Sequence, residues 1–97
     1  MVVISYATLR EFYTIHADAT DALNNWYRIL LRSDCSNYHE MKVLFNSVDS
    51  VGNDRYVFNI RGNNYRVVAL IFFDIRTVYI RFVGTHTAYN KIDCATI

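Results

Sequence analysis

Three residue types that together can cleave RNA occur in the second half of the chain: an arginine, Arg66, a histidine, His86, and a tyrosine, Tyr89. Histidine side chains titrate near neutral pH, so they can take and give protons in catalysis. An arginine offers a fixed fork of donors for a phosphate and for the extra charge of a pentacoordinate intermediate. A tyrosine can donate to a phosphate oxygen or stack on a base. These side chains suit RNA cleavage by attack of a ribose 2′-hydroxyl on its own 3′-phosphate, which needs no metal and no protein nucleophile.

A β-meander is needed to bring Arg66 and His86 together, because they lie far apart in the sequence. Three runs are dense in β-branched and aromatic residues, which are typical of strands: Tyr56–Ile60, Tyr65–Phe73 and Val78–Val83. The breaks between them, Arg61–Asn64 and Asp74–Thr77, are short. The sequence therefore predicts three antiparallel strands joined by two hairpins.

The hairpin loops predict which residues face each other, because a short loop fixes the register of its strands. Ile60 then opposes Tyr65, and Phe73 opposes Val78. Side chains alternate between the two faces of a sheet. One face, the apolar face, carries no charge and must be covered; it comprises Tyr56, Phe58, Ile60, Tyr65, Val67, Ala69, Ile71, Phe73, Val78, Ile80 and Phe82. The other, the arginine face, comprises Val57, Asn59, Arg66, Val68, Leu70, Phe72, Tyr79, Arg81, Val83 and Thr85.

The arginine face groups its polar residues in rows. In this register Asn59, Arg66 and Thr85 lie side by side across the three strands, and Arg55 and Arg81 lie in a second row. A sheet with arginines in the middle of one face is suited to an anionic ligand.

Helices are predicted to cover the apolar face. Apolar residues recur at helical spacing from about Ala19 to Arg32, and Trp26 within this stripe is expected in the core. A capping box at Thr8–Glu11 predicts an earlier helix that ends near His16. His39–Phe45 predicts a third, short helix.

The remaining segments complete the predicted fold. Val2–Ser5 reads as an edge strand, and Asn46–Asp54 reads as a loop. Thr85 or Thr87 can cap a short terminal helix in which His86 and Tyr89 share a face. The expected class is α+β, with two or three helices on one face of a small, mainly antiparallel sheet made of the meander and the N-terminal edge strand.

Length and composition exclude several classes of protein. The 97 residues form a single expected domain, 1–97, and 53% hydrophobic with 20% charged residues is ordinary for a globular protein. No apolar run approaches the roughly 20 residues that span a bilayer, and the amino terminus lacks the layout of a signal peptide, so a cytoplasmic location is expected. A net charge of +1 argues against binding nucleic acid mainly through bulk charge.

The sequence predicts neither a metal nor a cofactor. Cys35 and Cys94 lie far apart without a CxxC pair, and free thiols are expected. Cys35 with His39 would be half of a metal site, but His16 and His86 have no further ligands at suitable spacing.

Structural roles are open for the same candidate residues. Arg66 could pair with Asp49 or Asp54 only to stabilise the fold. A histidine that follows a strand is often a structural hydrogen-bonding residue. Composition does not single out Tyr89, because the chain has eight tyrosines.

Several segments closely resemble the HigB toxins of the RelE superfamily. They are Val51–Ile60, Gly62–Val68, the run from Val78 to His86 that contains YIRFVGTH, and Tyr89–Asp93, with further similarity at Thr8–Phe12 and Trp26–Tyr27. The similarity spans nearly the whole chain, and YIRFVGTH followed by a tyrosine is its specific part.

The resemblance implies a RelE-like fold and the activity of a bacterial type II toxin. Such a toxin is an mRNA interferase that enters the ribosomal A site and cuts translated mRNA. It implies a HigA-type antitoxin with a helix-turn-helix that silences the toxin, and repression of the operon through operator DNA bound by the antitoxin complex. No membrane partner is expected.

The resemblance also assigns roles to individual residues. Arg66 matches the superfamily's arginine in the central strand, His86 falls where many relatives place an arginine or histidine, and Tyr89 matches the tyrosine that follows. These three are the predicted catalytic residues. The predicted RNA-binding residues are Arg55, Asn59, Asn64, Arg81, Thr85 and Lys91.

One departure from the family pattern keeps two other functions open. HigB-like sequences usually carry aspartate where this chain has Asn90, so either the activity is lower or proton transfer is handled by His86 alone. A non-catalytic module that binds RNA or protein, or a toxin-derived co-repressor acting with its antitoxin, are the alternatives.

Overall fold

Five strands and four α-helices make up the fold in a computed structural model that describes residues 1–97. The strands are β1 (Val2–Ile4), β2 (Asp49–Gly52), β3 (Arg55–Ile60), β4 (Tyr65–Phe72) and β5 (Thr77–Thr85). The helices are α1 (Tyr6–Ile15), α2 (Thr20–Arg32), α3 (Tyr38–Leu44) and α4 (His86–Tyr89), and short 3-10 turns occur at Ala17–Ala19 and Phe73–Ile75. The predicted α+β class is confirmed.

The strands form one sheet in the order β1-β5-β4-β3-β2. All neighbours are antiparallel except β1, which runs parallel to β5 as an edge strand. The prediction of a loop throughout Asn46–Asp54 was wrong, because Asp49–Gly52 pairs with β3. This strand is short and polar, so its own sequence carries no strand pattern, and pairing with β3 defines it. Asn53 and Asp54 close the turn at φ 53° and 60°, in the left-handed region that asparagine and aspartate tolerate.

The register of β3 against β4 is the predicted one. Ile60 opposes Tyr65 and Asn59 opposes Arg66. The register predicted for β4 against β5, with Phe73 opposite Val78, was wrong, because Phe72 opposes Thr77 at the closing pair. Phe73 instead begins the 3-10 turn.

A β-bulge at Arg81 changes the faces of the last part of β5. Ile80 opposes Ala69 and Phe82 opposes Val68, which leaves Arg81 as the extra residue. Ile80 stays on the apolar face as predicted. The face predicted for Phe82 was wrong, because it lies on the arginine face, and Val83 replaces it on the apolar side.

The helices cover the apolar face of the sheet. Leu9, Leu23, Leu30 and Met41 are fully buried in one cluster with the apolar side chains of β3, β4 and β5. Trp26 is 2% exposed and packs edge-on to the ring of Phe58, with ring centres 5.2 Å apart. The prediction of Trp26 as a core residue is confirmed.

The helices begin close to the predicted positions except for α1. Helix α1 starts at Tyr6 with Ser5 as N-cap, so the capping box predicted at Thr8 was wrong. Tyr6 holds the extra turn in place, because its ring packs 4.7 Å from that of Tyr27 and its hydroxyl donates to Asn24 Oδ1 at 2.6 Å. No helix is long and apolar enough to cross a lipid bilayer.

The arginine face is covered in part by the segment that follows α4. Val57 and Val68 are buried on this face. Asn53 Nδ2 donates to the carbonyl oxygen of Ala95 at 3.0 Å, and Arg55 donates to that of Ile97. These contacts lie at the Arg55 end of the face. The candidate functional groups lie at its other end, around Arg66.

Candidate active site

Arg66 lies on the arginine face of β4, between Asn59 on β3 and Gly84 on β5. The bulge at Arg81 shifts β5 by one residue here, so the predicted row of Asn59, Arg66 and Thr85 was wrong at its third member. Thr85 instead opposes Tyr65. Gly84, opposite Arg66, leaves room for the ring of Phe82, because a Cβ at this position would overlap that ring and force it to move.

The guanidinium of Arg66 is held by carbonyl and amide oxygens rather than by a carboxylate. The residue is 8% exposed. Its Nη1 donates to the main-chain oxygens of Asn63 at 3.1 Å and of Tyr65 at 3.3 Å. Its Nη2 donates to Asn63 Oδ1 at 3.4 Å. The three ion pairs of the protein lie elsewhere, so the structural alternative, a pair with Asp49 or Asp54, is not what the fold contains. Arg66 therefore keeps an uncompensated positive charge.

Tyr89 brings an aromatic ring against this charge. The Cζ atom of Arg66 lies 5.7 Å from the centre of the Tyr89 ring, within the range of a cation–π contact. The Tyr89 hydroxyl donates to Cys94 Sγ at 3.4 Å. That hydrogen bond is the main cause, and burial the second, of a rise in the pKa of Tyr89 to about 12. The positive charge of Arg66 acts in the opposite direction. The phenol is protonated at neutral pH and cannot serve there as a general base.

His86 is the first residue of α4, directly after the end of β5. Its main-chain N–H donates to the carbonyl oxygen of Asn64 at 3.2 Å, which ties α4 to the turn between β3 and β4. The imidazole is exposed and makes no hydrogen bond within the protein. The predicted helix cap is confirmed at Thr85, whose Oγ1 accepts from the N–H of Ala88 at 3.1 Å. His86 thus has a fixed main chain and a side chain free to reach a ligand.

A polar depression adjoins the Arg66 corner. It has a volume of about 370 Å³ and is lined by Ser47, Asn59, Gly62 and Asn63. Asn59 Nδ2 donates to Asn63 Oδ1 at 3.4 Å, the same oxygen that accepts from Arg66. The side-chain amide of Asn63 therefore both lines the depression and contacts the guanidinium of Arg66.

The other residues predicted to bind RNA are more dispersed. Arg55 stands four residues before Asn59 on β3, about 13 Å away along a strand. Its Nε and Nη2 donate to the carbonyl oxygen of Ile97 at 3.1 and 2.8 Å, so its donors are engaged within the protein. Arg81 is exposed at the bulge and Lys91 is exposed after α4. Of the predicted set, the fold groups Arg66, Tyr89 and Asn59 by direct or shared contacts.

Two contacts of this site were not predicted from the sequence. Asn63 lies three residues before Arg66, in a hairpin whose register the sequence did predict. The contact between the two residues could therefore have been predicted from that register. The contact of Cys94 with Tyr89 had no such signal, because it depends on how the chain turns after α4.

Comparison with known proteins gives consistent matches. Residues 19–92 match the sequence model of HigB_toxin, the RelE-like toxic component of a toxin-antitoxin system. The mRNA interferase HigB of Escherichia coli O6:H1 is 31% identical over 94 residues, which cover 95% of this chain and 91% of that protein. The mRNA interferase toxin HigB of Escherichia coli K12 is 44% identical over 82 residues, which cover 82% and 76%. The mRNA interferase HigB of Shigella flexneri gives the same values.

Proposed function

Because the chain belongs to the HigB family of RelE-like toxins, the toxic components of toxin-antitoxin systems, we propose that it is an endoribonuclease that cleaves messenger RNA. The observation that carries the proposal is the state of Arg66. Its guanidinium is buried against the ring of Tyr89 without a carboxylate partner. Asn64, two residues before Arg66, accepts through its carbonyl oxygen from the main-chain N–H of His86 at 3.2 Å. A buried charge without a counter-ion is costly, and an anionic ligand relieves that cost.

The proposed reaction is attack of a ribose 2′-hydroxyl on the adjacent 3′-phosphate, which breaks the bond from phosphorus to the 5′-oxygen of the next nucleotide and leaves a 2′,3′-cyclic phosphate and a 5′-hydroxyl. His86 takes the proton of the 2′-hydroxyl and returns it to the leaving 5′-oxygen, since its imidazole is exposed and histidine is the side chain that most often serves as a general acid or base. Arg66 binds the phosphate oxygens and stabilises the pentacoordinate intermediate. The charge on that intermediate is met by the guanidinium, so the step is proposed to proceed without a metal ion. Asn90 cannot accept a proton as an aspartate would, which leaves proton transfer to His86.

The depression beside Arg66 is proposed to take a nucleotide next to the scissile phosphate. None of its lining residues is hydrophobic, and amide groups such as that of Asn59 can hydrogen-bond base edges. The predicted contacts from Asn64, Thr85, Arg81 and Lys91 belong to this proposal as positions along the RNA path. Arg55 is proposed only as a more distant contact, because its donors are engaged by the main chain.

The substrate is proposed to be mRNA held in the ribosomal A site. A net charge of +1 gives little general attraction for RNA. A ribosome that presents the message already threaded removes the need for it. We expect cleavage of free RNA to be much slower than cleavage of translated mRNA, in the cytoplasm where translation occurs.

The partner is proposed to be a HigA-type antitoxin with a helix-turn-helix. The antitoxin would silence the toxin, and the complex would bind operator DNA through the antitoxin. A small helix-turn-helix protein encoded beside this chain would support the assignment.

Primer extension on mRNA from cells that express the chain tests the activity. We expect new 5′ ends inside coding regions for the wild type, and their loss in Arg66→Ala and His86→Ala. Asn25→Ala, an exposed residue on α2, is the matched control and should cleave normally. Full cleavage by both site variants would remove them from the mechanism. Absence of new ends with the wild type, together with operator binding by the antitoxin complex, would instead identify a co-repressor.

A further inference from the structure

We propose that Asn63 is a positioning residue that aims the phosphate-binding edge of Arg66. The inference rests on the proposed function, in which Arg66 binds the scissile phosphate. Asn63 is not among the residues that the sequence predicts to act in catalysis or RNA binding. It lies in the turn between β3 and β4, three residues before Arg66.

The donor count of Arg66 shows what Asn63 does. A guanidinium has five N–H groups in a rigid plane. Nη1 uses two of them on the main-chain oxygens of Asn63 and Tyr65, and Nη2 uses one on Asn63 Oδ1. Nε makes no hydrogen bond within the protein. The groups left over are one on Nε and one on Nη2.

Those two remaining N–H groups form the edge that binds phosphate best. The Nε–H and the adjacent Nη2–H are parallel and can engage two oxygens of one phosphate together. Asn63 contributes two of the three acceptors that occupy the other end of the guanidinium. The ring of Tyr89 supports one side of the plane. The combined contacts fix both the plane and the rotation of the guanidinium before RNA arrives.

The turn is built to bring Asn63 to this place. Arg61 and Gly62 have φ of 52° and 66°, in the left-handed region, immediately before Asn63. The amide oxygen of Asn63 also accepts from Asn59 Nδ2 at 3.4 Å, which gives the Asn63 side chain a second contact that orients it. Asn63 is exposed, so it adds little to the core. These contacts fit a role in orientation better than a role in stability.

Nuclear magnetic resonance of the arginine side chains in the purified toxin tests the orientation directly. A guanidinium nitrogen that is held by a hydrogen bond rotates slowly about its bond to Cζ, and its two hydrogens give separate signals at low temperature. We expect separate Nη2 hydrogen signals for Arg66 in the wild type and their merging in Asn63→Ala, which removes Oδ1 but keeps both main-chain acceptors of Nη1. Asn63→Asp keeps an oxygen acceptor and should keep the signals separate. Asn25→Ala is the control for loss of an asparagine elsewhere. Separate Nη2 hydrogen signals for Arg66 in Asn63→Ala would overturn the proposal.

A mutant cycle on cleavage of ribosome-bound mRNA tests whether Asn63 acts through Arg66. We expect Asn63→Ala to slow single-turnover cleavage roughly tenfold, because small errors in the placement of a charged group are costly. Lysine has no fork to aim, so in the Arg66→Lys background the same change should cost less than about twofold. An equal effect in both backgrounds would show that Asn63 contacts RNA itself, which overturns the positioning role and leaves the proposed function intact. A wild-type rate in Arg66→Lys would instead count against the proposed function.

Discussion

The placement of Tyr89 predicts that its ring, and not its hydroxyl, supports cleavage. The ring lies 5.7 Å from the guanidinium carbon of Arg66, whereas the hydroxyl donates to Cys94. Tyr89→Phe keeps the first contact and removes only the second. Tyr89→Ala removes both. The two substitutions therefore separate the platform from the phenol.

The structure gives the size of each effect. A cation–π contact is worth about 0.5 to 2 kcal/mol, depending on how far it is desolvated. Loss of the platform in Tyr89→Ala should therefore slow cleavage about 2- to 30-fold, at about 1.4 kcal/mol for each factor of ten. Tyr89→Phe should stay within about threefold of the wild type, since it loses one weak hydrogen bond that does not involve Arg66.

The pH dependence gives an independent check on the phenol. With the pKa of Tyr89 raised to about 12, fewer than about one molecule in ten thousand carries a phenolate at pH 7.5. Single-turnover cleavage of ribosome-bound mRNA, measured from pH 6 to 9, should give the same profile for the wild type and Tyr89→Phe. Melting temperatures of the free toxins control for misfolding.

The outcome that refutes this reasoning is specific. If Tyr89→Phe is as slow as Tyr89→Ala while both variants remain folded, the hydroxyl itself takes part in the reaction. A pH profile of cleavage that changes shape in Tyr89→Phe would also show that the hydroxyl takes part in the reaction. The contact with Cys94 would then have to break when RNA binds.

Three further predictions concern stability. Gly84→Ala places a Cβ against the ring of Phe82 and should lower stability by about 1 to 3 kcal/mol in denaturant unfolding, whereas alanine at an open glycine costs only its backbone strain. Trp26→Ala empties a position that is 2% exposed and should cost about 3 to 5 kcal/mol; a loss below 1 kcal/mol would contradict its place in the core. The hydrogen bond from Tyr65, and after it the charge of Arg61, holds the pKa of Asp18 below its usual range in the folded protein. The ionised Asp18 carboxylate therefore stabilises the fold at pH values above the ordinary carboxyl pKa. This stabilisation is lost as the pH falls through the lower pKa of the folded state. The wild type should therefore lose more stability than Asp18→Asn on acidification from pH 5 to 3, and equal losses would argue against this linkage.

The sequence predicts the centre of the fold because local chemistry decides it there. The short turn before Tyr65 sets the register of β3 against β4, and with it the pairing of Asn59 with Arg66. The spacing of apolar residues around Trp26 predicts α2 and the face that it covers. Thr85 is recognisable as a cap because its side chain can satisfy an N–H of the following turn.

The errors occur where distant parts of the chain decide the structure. The bulge at Arg81 moves Thr85 out of line with Arg66. The sequence does not reveal this bulge, because Ile80, Phe82 and Val83 around it are apolar whichever face they take. Strand β2 is polar and forms because β3 offers a partner edge. The extra turn of α1 depends on contacts of Tyr6 with α2. The candidate site has the same limit at Cys94, whose contact with Tyr89 depends on how the chain turns after α4. Asn63 differs, because it lies in a hairpin whose register the sequence predicts.

Cleavage of an mRNA with a single 2′-deoxy nucleotide at the cleaved position tests the central claim most directly. The cut site is first mapped on ribosomes with all-ribose mRNA, and the modified message is then compared with it under single turnover. Attack by the 2′-hydroxyl predicts no cleavage of the modified message at that position, and a 2′,3′-cyclic phosphate or 3′-phosphate with a 5′-hydroxyl from the all-ribose one. Cleavage of both messages at similar rates would contradict the mechanism assigned to Arg66 and His86.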